Sequence, residues 1–250
     1  MKTDTNILIE GANCWRKRKA SRVAFLIDGS AYFSAFCSAV ERAEKSIFIA
    51  AWDIDSRIKL FREASDPGSC EQLEDFLNRV VSGKADLDAY VLAWDFVIIY
   101  ALEREPLPVF KLGWLSHKRV HFHMDDEHPL GASHHQKIVV VDDSVAFVGG
   151  IDLAKRRWDT SEHRADDPRR LDPHGQNYPP FHDVQVLVEG EAARSLGDLF
   201  RTRWWNATGQ KPKASEGSGN DPWPSGLEPD LEDVSIAIAR TEPAYKGRPE

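Results

Sequence analysis

Twice in the first hundred residues a segment with helical spacing runs straight into a short apolar strand. That alternation constrains the fold more tightly than any single motif. In the first unit Phe33, Phe36, Cys37, Val40 and Ala43 fall at helical spacing, and SIFIAAW then reads as a short buried strand. In the second, CEQLEDFLNRVVSG leads to DAYVLAW. Helix–strand alternation predicts an α/β fold, a layered sheet flanked by helices. RVHFHM (119–124) adds a strand, and KIVVVDDSVAFVGG reads as two more joined by a tight turn at Asp142-Asp143-Ser144. A long polar loop from 155 to 180 follows, of a length that is usually functional or mobile. DVQVLVEG and EAARSLGDLFRTRWW then supply a strand and a helix.

The 250 residues, 42% hydrophobic and 29% charged, suit one large domain or one and a half smaller ones. Residues 1–22 read as an N-terminal arm whose basic run, Arg16 to Lys19, is expected to be solvated. Residues 23–209 form the main unit, and 210–232 are a linker by composition. Residues 233–250 start a strand with nothing to pair it. No run reaches the ~18–20 apolar residues of a membrane span, and nothing resembles a cleaved leader. The expected location is cytoplasmic, or peripheral at a membrane. Cys14, Cys37 and Cys70 are too scattered for a disulfide framework or a thiolate metal site and are expected to be free thiols. The net charge of −8 argues against a dedicated nucleic-acid binder.

All nine histidines lie between positions 117 and 182. Imidazole serves as nucleophile, acid–base group or metal ligand near neutral pH, so the concentration points to a site. A metal set could draw on His121, His123, Asp125, Asp126, His134 and His135, but its carboxylates sit in a turn-like stretch and no His-Glu-x-x-His helix is present. Metal is therefore not expected there. His117, His128, His163 and His174 read as surface or loop histidines. The sharper pattern is His135-x-Lys137 with Asp142 five residues on, then Gly149-Gly150-x-Asp152. On a strand, alternate side chains share a face, so His135 and Lys137 project to one point. They offer a nitrogen nucleophile and a fixed cation, the pair needed to attack a phosphorus and hold its oxygens. Asp142 has the opposite parity and reads as an anchor for the turn, and His134 as a scaffold residue. Gly149 and Gly150 would let the backbone pass close to a phosphate, and Asp152 returns to the site.

The run HHQKIVVVDD…AFVGGIDL…RRWDT resembles the first HKD motif and flanks of the phospholipase D superfamily, closest to the phospholipase D enzymes themselves. The likeness extends over about residues 20–210, making 23–209 a phospholipase D-like catalytic half-domain. It implies displacement at phosphorus through a phosphohistidine, without a cofactor or metal. Water, or an alcohol in transphosphatidylation, then resolves the intermediate. His135 matches the catalytic histidine, Lys137 the phosphate-binding lysine and Asp142 the motif's third residue. Many superfamily members carry Asn where this chain has Asp152. Asp183 matches the carboxylate that the family places behind the histidine. Trp94, Trp114, Phe181 and Trp204-Trp205 could line an acyl groove, though such aromatics are more often core.

The implied activity is hydrolysis of the headgroup phosphodiester of glycerophospholipids to phosphatidic acid at a membrane surface. Only one H-x-K-x4-D occurs, whereas phospholipase D enzymes build one site from two. The second half-site would come in cis, if this chain is the N-terminal half of a longer enzyme, or from a homodimer. The ending VSIAIARTEPAYKG resembles the start of a second half and favours the first. The alternatives are a one-motif homodimeric phosphodiesterase or nuclease, and an inactive lipid-binding fragment.

Overall fold

The computed structural model describes residues 7–62, 71–95, 117–129, 131–215 and 219–247. The described residues form three helices and eight strands. They are β1 (Arg16–Ile27), α1 (Asp28–Arg42), β2 (Ser46–Ala51), α2 (Leu73–Ser82), β3 (Asp88–Trp94), β4 (Val120–Asp125), β5 (Ile138–Val141), β6 (Val145–Gly149), β7 (Val184–Glu189), α3 (Glu191–Thr208) and β8 (Leu231–Ile238). The strands form one sheet in the order β4-β3-β2-β5-β6-β7-β1-β8. β2, β3 and β4 run parallel, as their crossovers require, and the other pairings are antiparallel.

Helices cover both faces, which explains why β2 and β5 are buried throughout rather than alternating. On one face α1 buries Tyr32, Phe33, Phe36 and Val40 beside Phe76 of α2 and Phe147 of β6. On the other, α3 buries Leu196, Leu199, Phe200 and Trp204, and Phe200 stacks on Phe48 of β2 at 4.7 Å. The layered α/β fold expected from the alternation is the fold observed. Cys14 and Cys37 are free and buried, and burial pushes the Cys37 thiol well above the ordinary range. Cys70 lies outside the described residues. No helix among the described residues is long and apolar enough to cross a membrane.

Two expectations at the chain's ends need correction. The basic run is not an arm: Arg16 to Lys19 open the longest strand, β1, which crosses the boundary expected at residue 22. Its two arginines are paired at the rim, Arg16 with Asp198 at 2.7 Å and Arg18 with Glu10 at 3.0 Å. β8 is also not unpaired, since it lies antiparallel to β1 from Arg16↔Ile238 to Val23↔Leu231. β8 reads as a strand from Val234, Ile236 and Ile238, but its partner was hidden because the start of β1 is a run of charges. The segment read as a linker is docked rather than free. Trp223 is buried in the core under the Arg22 guanidinium, and its indole N–H donates to the Leu227 carbonyl.

The turn after β5 is as tight as its sequence suggests. Asp142 and Asp143 have φ of 53° and 54°, so two successive residues of the three-residue connection Asp142–Ser144 are left-handed, and the Ser144 N–H donates to the Val141 carbonyl at 3.0 Å. Both side chains are tethered. Asp143 pairs with Arg201 of α3 at 2.8 Å. The Asp142 carboxylate accepts the backbone N–H groups of Glu44, Lys45 and Ser46, each at 2.8 Å, which fixes the start of β2.

Candidate active site

β2, β3, β4 and β6 end, and β5 begins, at one edge of the sheet, and the histidine–lysine pair lies there. His135 and Lys137 are not within a strand but in the irregular run just before β5. The two side chains still converge: Lys137 Nζ is 3.3 Å from His135 Nε2. The lysine is buried at 6% exposure while the imidazole above it is open to solvent. With the ammonium facing Nε2, that nitrogen is the acceptor and the ring proton sits on Nδ1. Desolvation, and then the Lys137 charge, hold the His135 imidazole below the ordinary histidine range. That shift favours the neutral imidazole, whose Nε2 lone pair here faces the Lys137 ammonium.

Asp152 returns to the pair from the loop after β6. One carboxylate oxygen lies 3.2 Å from Lys137 Nζ, and the other accepts the Trp52 N–H at 3.1 Å. The ion pair is close but off hydrogen-bonding alignment, which leaves Oδ2 without a hydrogen-bond partner. Burial outweighs the lysine, so the Asp152 carboxyl is pushed up to about 6. A single buried cation thus stands between a neutral imidazole and a carboxylic acid that titrates near neutrality.

The roles of the other expected residues separate. Asp142 follows β5 whereas His135 and Lys137 precede it, so its carboxylate is spent on the Glu44–Ser46 backbone and the site is out of its reach. Asp183 is not brought to His135. Its carboxylate accepts the Val184 N–H at 2.7 Å and lies over the Gly150 Cα. That contact changes the reading of the glycine pair. A Cβ on Gly150 would overlap the Asp183 carboxylate, and one on Gly149 would overlap the Val184 carbonyl and the Gln185 side chain. Both glycines are required by strand β7, whatever a phosphate asks of them. Gly149→Ala should cost about 1–3 kcal/mol of stability by overpacking. Chemical denaturation checks this, and an unchanged midpoint would show that β7 yields.

His134 belongs to the scaffold. Its Nε2 is 3.4 Å from Asp125, whose other oxygen takes the Arg203 guanidinium at 2.8 Å. Arg203 also donates to Gln136 at 3.0 Å, which ties α3 to the residue between His135 and Lys137. The alternative metal set does not assemble: His121 pairs with Asp88 at 2.8 Å and His123 packs on Trp204. Of the aromatics proposed for a groove, Trp94 and Trp204 are buried, Phe181 is partly buried and Trp205 is exposed. Trp114 lies outside the described residues.

Sequence reasoning missed Trp52. Its ring meets His135 edge-on at 5.5 Å, lies 5.4 Å from Lys137 Nζ and stacks on Trp94 at 5.9 Å. The signal was present, because parallel strands β2 and β3 both run into Ala-Trp-Asp, and Ala51↔Ala93 in register puts the two indoles side by side. A cavity of about 600 Å³ opens beside the pair. Its floor is apolar (Ile138, Val148, Leu196, Leu199), its polar wall holds His135 and Lys137, and the residues after β8 close its far side.

Residues 116–221 match the family model described as Phospholipase D. Phospholipase D C of Dictyostelium discoideum is 31% identical over 212 residues, which cover 72% of this chain and 12% of that protein. Phospholipase D zeta 1 of Arabidopsis thaliana is 30% identical over 217 residues, covering 74% of this chain and 19% of that protein. The chain thus spans less than a quarter of these curated relatives. Among solved structures, the phospholipase D family member Nuc from Salmonella typhimurium aligns with a TM-score of 0.46 at 15% identity. That alignment covers 76% of this chain and 95% of that one.

Proposed function

The chain belongs to the phospholipase D superfamily, and on that premise we propose that it supplies one half-site of a phosphodiesterase that cleaves the headgroup ester of glycerophospholipids. The observation that carries this reading is the His135–Lys137 contact at 3.3 Å, with Lys137 backed by Asp152 at 3.2 Å. A neutral imidazole suits a nucleophile better than a general acid, which would need a proton on Nε2, and the lone pair is freed when a phosphate oxygen takes the Lys137 ammonium in its place. His135 Nε2 attacks phosphorus, and Lys137 neutralises the charge that grows on the non-bridging oxygens. The bond from phosphorus to the headgroup oxygen breaks, and the departing oxygen takes a proton from an acid outside this half-site. Water then attacks phosphorus, giving its proton to that same outside group, the P–N bond breaks, and phosphatidic acid leaves with His135 restored. An alcohol in place of water gives transphosphatidylation.

The apolar floor beside the pair supports a lipid, since it offers acyl carbon a place out of water next to the phosphate position. The names of the curated relatives support the same choice. The missing acid is supplied by a second half-site, in cis in a longer polypeptide or from a second copy of this chain.

The test exposes the chain to phosphatidylcholine vesicles and, separately, to plasmid DNA, and looks for a phospho-adduct by mass spectrometry. Choline release with an adduct on His135, both lost in His135→Asn, is expected. DNA cleavage without lipid turnover would replace this reading with the nuclease one. Equal vesicle binding by both proteins with no adduct in either would leave a lipid-binding fragment.

A further inference from the structure

His135 stands between two neighbours that are both gripped from outside the run they belong to. Ladder pairing in β5 begins only at Ile138, so among the described residues the sheet pairs none of His134, His135 and Gln136. The grip comes from side chains. Arg203, on α3 and 7% exposed, donates Nε and Nη2 to one Asp125 oxygen at 3.1 and 2.8 Å. Its other arm, Nη1, donates to Gln136 Oε1 at 3.0 Å. Asp125, the last residue of β4, is buried and turns its second oxygen to His134 Nε2 at 3.4 Å. The same oxygen accepts the Glu127 N–H at 3.1 Å. One buried ion pair between β4 and α3 thus holds the residues on either side of His135.

We propose that Arg203 and Asp125 are positioning residues, which set the place of the His135 imidazole by clamping His134 and Gln136. The proposal rests on the reading of His135 as the attacking group. A buried ion pair stabilises a fold no better than apolar side chains of the same volume, and Leu196, Leu199, Phe200 and Trp204 already hold α3 on the sheet. What the pair adds is direction, because a planar guanidinium has one orientation that satisfies a carboxylate and an amide at once. Burial works to raise the Asp125 carboxyl, but His134 and Arg203 hold it well below the usual carboxylate range. The clamp therefore stays charged wherever the imidazole titrates. Rings bound the run on another side. His128 stands edge-on to His134 at 5.4 Å and accepts the Trp94 indole N–H at 2.9 Å, and Trp94 stacks on the Trp52 that meets His135.

Three substitutions separate positioning from stability. Arg203→Lys keeps a charge beside Asp125 but has one nitrogen where the guanidinium has three, so it cannot hold Asp125 and Gln136 together. Gln136→Ala leaves the ion pair intact and releases only one jaw. Arg201 is the matched control: it is buried on the same helix and pairs with Asp143, at the opposite end of β5 from His135.

The imidazole signals of the full chain, with that of His135 assigned by its loss in His135→Asn, are titrated by NMR in the wild type and the three variants. In the wild type desolvation and Lys137 hold the His135 value below the ordinary histidine range. It is expected to rise towards that range in Arg203→Lys as the ring leaves Lys137, to rise less in Gln136→Ala, and not to move in Arg201→Lys. Adduct formation on phosphatidylcholine vesicles, per folded molecule, should fall about 10–10²-fold in Arg203→Lys, the scale of a small misplacement of a reacting group. The half-saturating lipid concentration should hardly change, and Arg201→Lys should react at the wild-type rate despite a lower Tm. Gln136→Ala touches no buried charge, so it reads the clamp even where Arg203→Lys does not fold. A His135 titration unchanged in Arg203→Lys and Gln136→Ala overturns the proposal. An equal shift in Arg201→Lys does the same, by reducing Arg203 to one more structural arginine. No adduct in the wild type would instead strike the catalytic reading of His135, while the titration still decides whether the clamp holds its ring against Lys137.

Discussion

Lys137→Met is expected to slow phospho-adduct formation by about 10²–10³-fold, the loss seen when one preorganised donor is removed from a developing oxyanion. It should also destabilise the fold, in a way that depends on pH. Burial already pushes the Asp152 carboxyl up to about 6 against an ordinary 3.8, and Lys137 is the main group holding it down. A carboxyl whose folded value is raised contributes stability at low pH and loses it as the pH rises through that value. Without the lysine the folded value climbs further, so the loss continues to higher pH than in the wild type. The variant should therefore be close to wild type near pH 5. It should fall behind above pH 6, approaching the ~3–5 kcal/mol of a buried charge whose partner is gone. Denaturant titration at pH 5 and pH 8 reads this directly. Adding Asp152→Asn should flatten the pH dependence and restore most of the stability without restoring the chemistry. Recovery of the chemistry in the double variant would mean that Lys137 serves only to neutralise Asp152, and it would remove the lysine from phosphate binding.

The sequence disclosed what depends on local periodicity and hid what depends on partners. α1, β2, α2 and β3 were legible because each carries its own apolar spacing, and the β5–β6 hairpin because two aspartates mark its turn. The opening of β1 was not, since Arg16–Lys19 looks solvated until β8 is laid beside it, and β8 read as a strand whose partner stayed hidden. The same division holds at the site. His135 and Lys137 are two residues apart, and their convergence is local. Trp52 is brought to them by the parallel register of β2 and β3, and Arg203 meets Asp125 and Gln136 only once α3 has packed across the sheet. Asp183 shows the reverse failure. The motif leads to it, but in this structure its carboxylate lies against Gly150 and makes no bond to His135.

Asp142 carries the sharpest separation of motif from chemistry. Its carboxylate is fully buried and takes three backbone N–H groups at 2.8 Å, at the far end of β5 from His135. Asp142→Ala leaves three donors without their anion and places Cβ-only alanine at a φ of 53°. Each charge-assisted bond is worth roughly 1.5–3 kcal/mol, and water reaching the opened site returns part of that, so a loss on the order of 4 kcal/mol is expected. Asp142→Asn keeps one acceptor and tolerates the left-handed backbone, so it should lose less. Asp142→Gly isolates the anchor from the strain, because glycine removes the conformational cost and restores none of the bonds. If it is as unstable as the alanine variant, the carboxylate is the cause. Adduct formation per folded molecule, measured well below each variant's Tm, should stay within a few-fold of wild type in all three. A drop of 10²-fold or more in a variant that remains folded would show that the anchor fixes the geometry of His135 through β5. The motif's spacing would then report positioning transmitted along the four residues of β5 rather than the independent staple that its bonds describe.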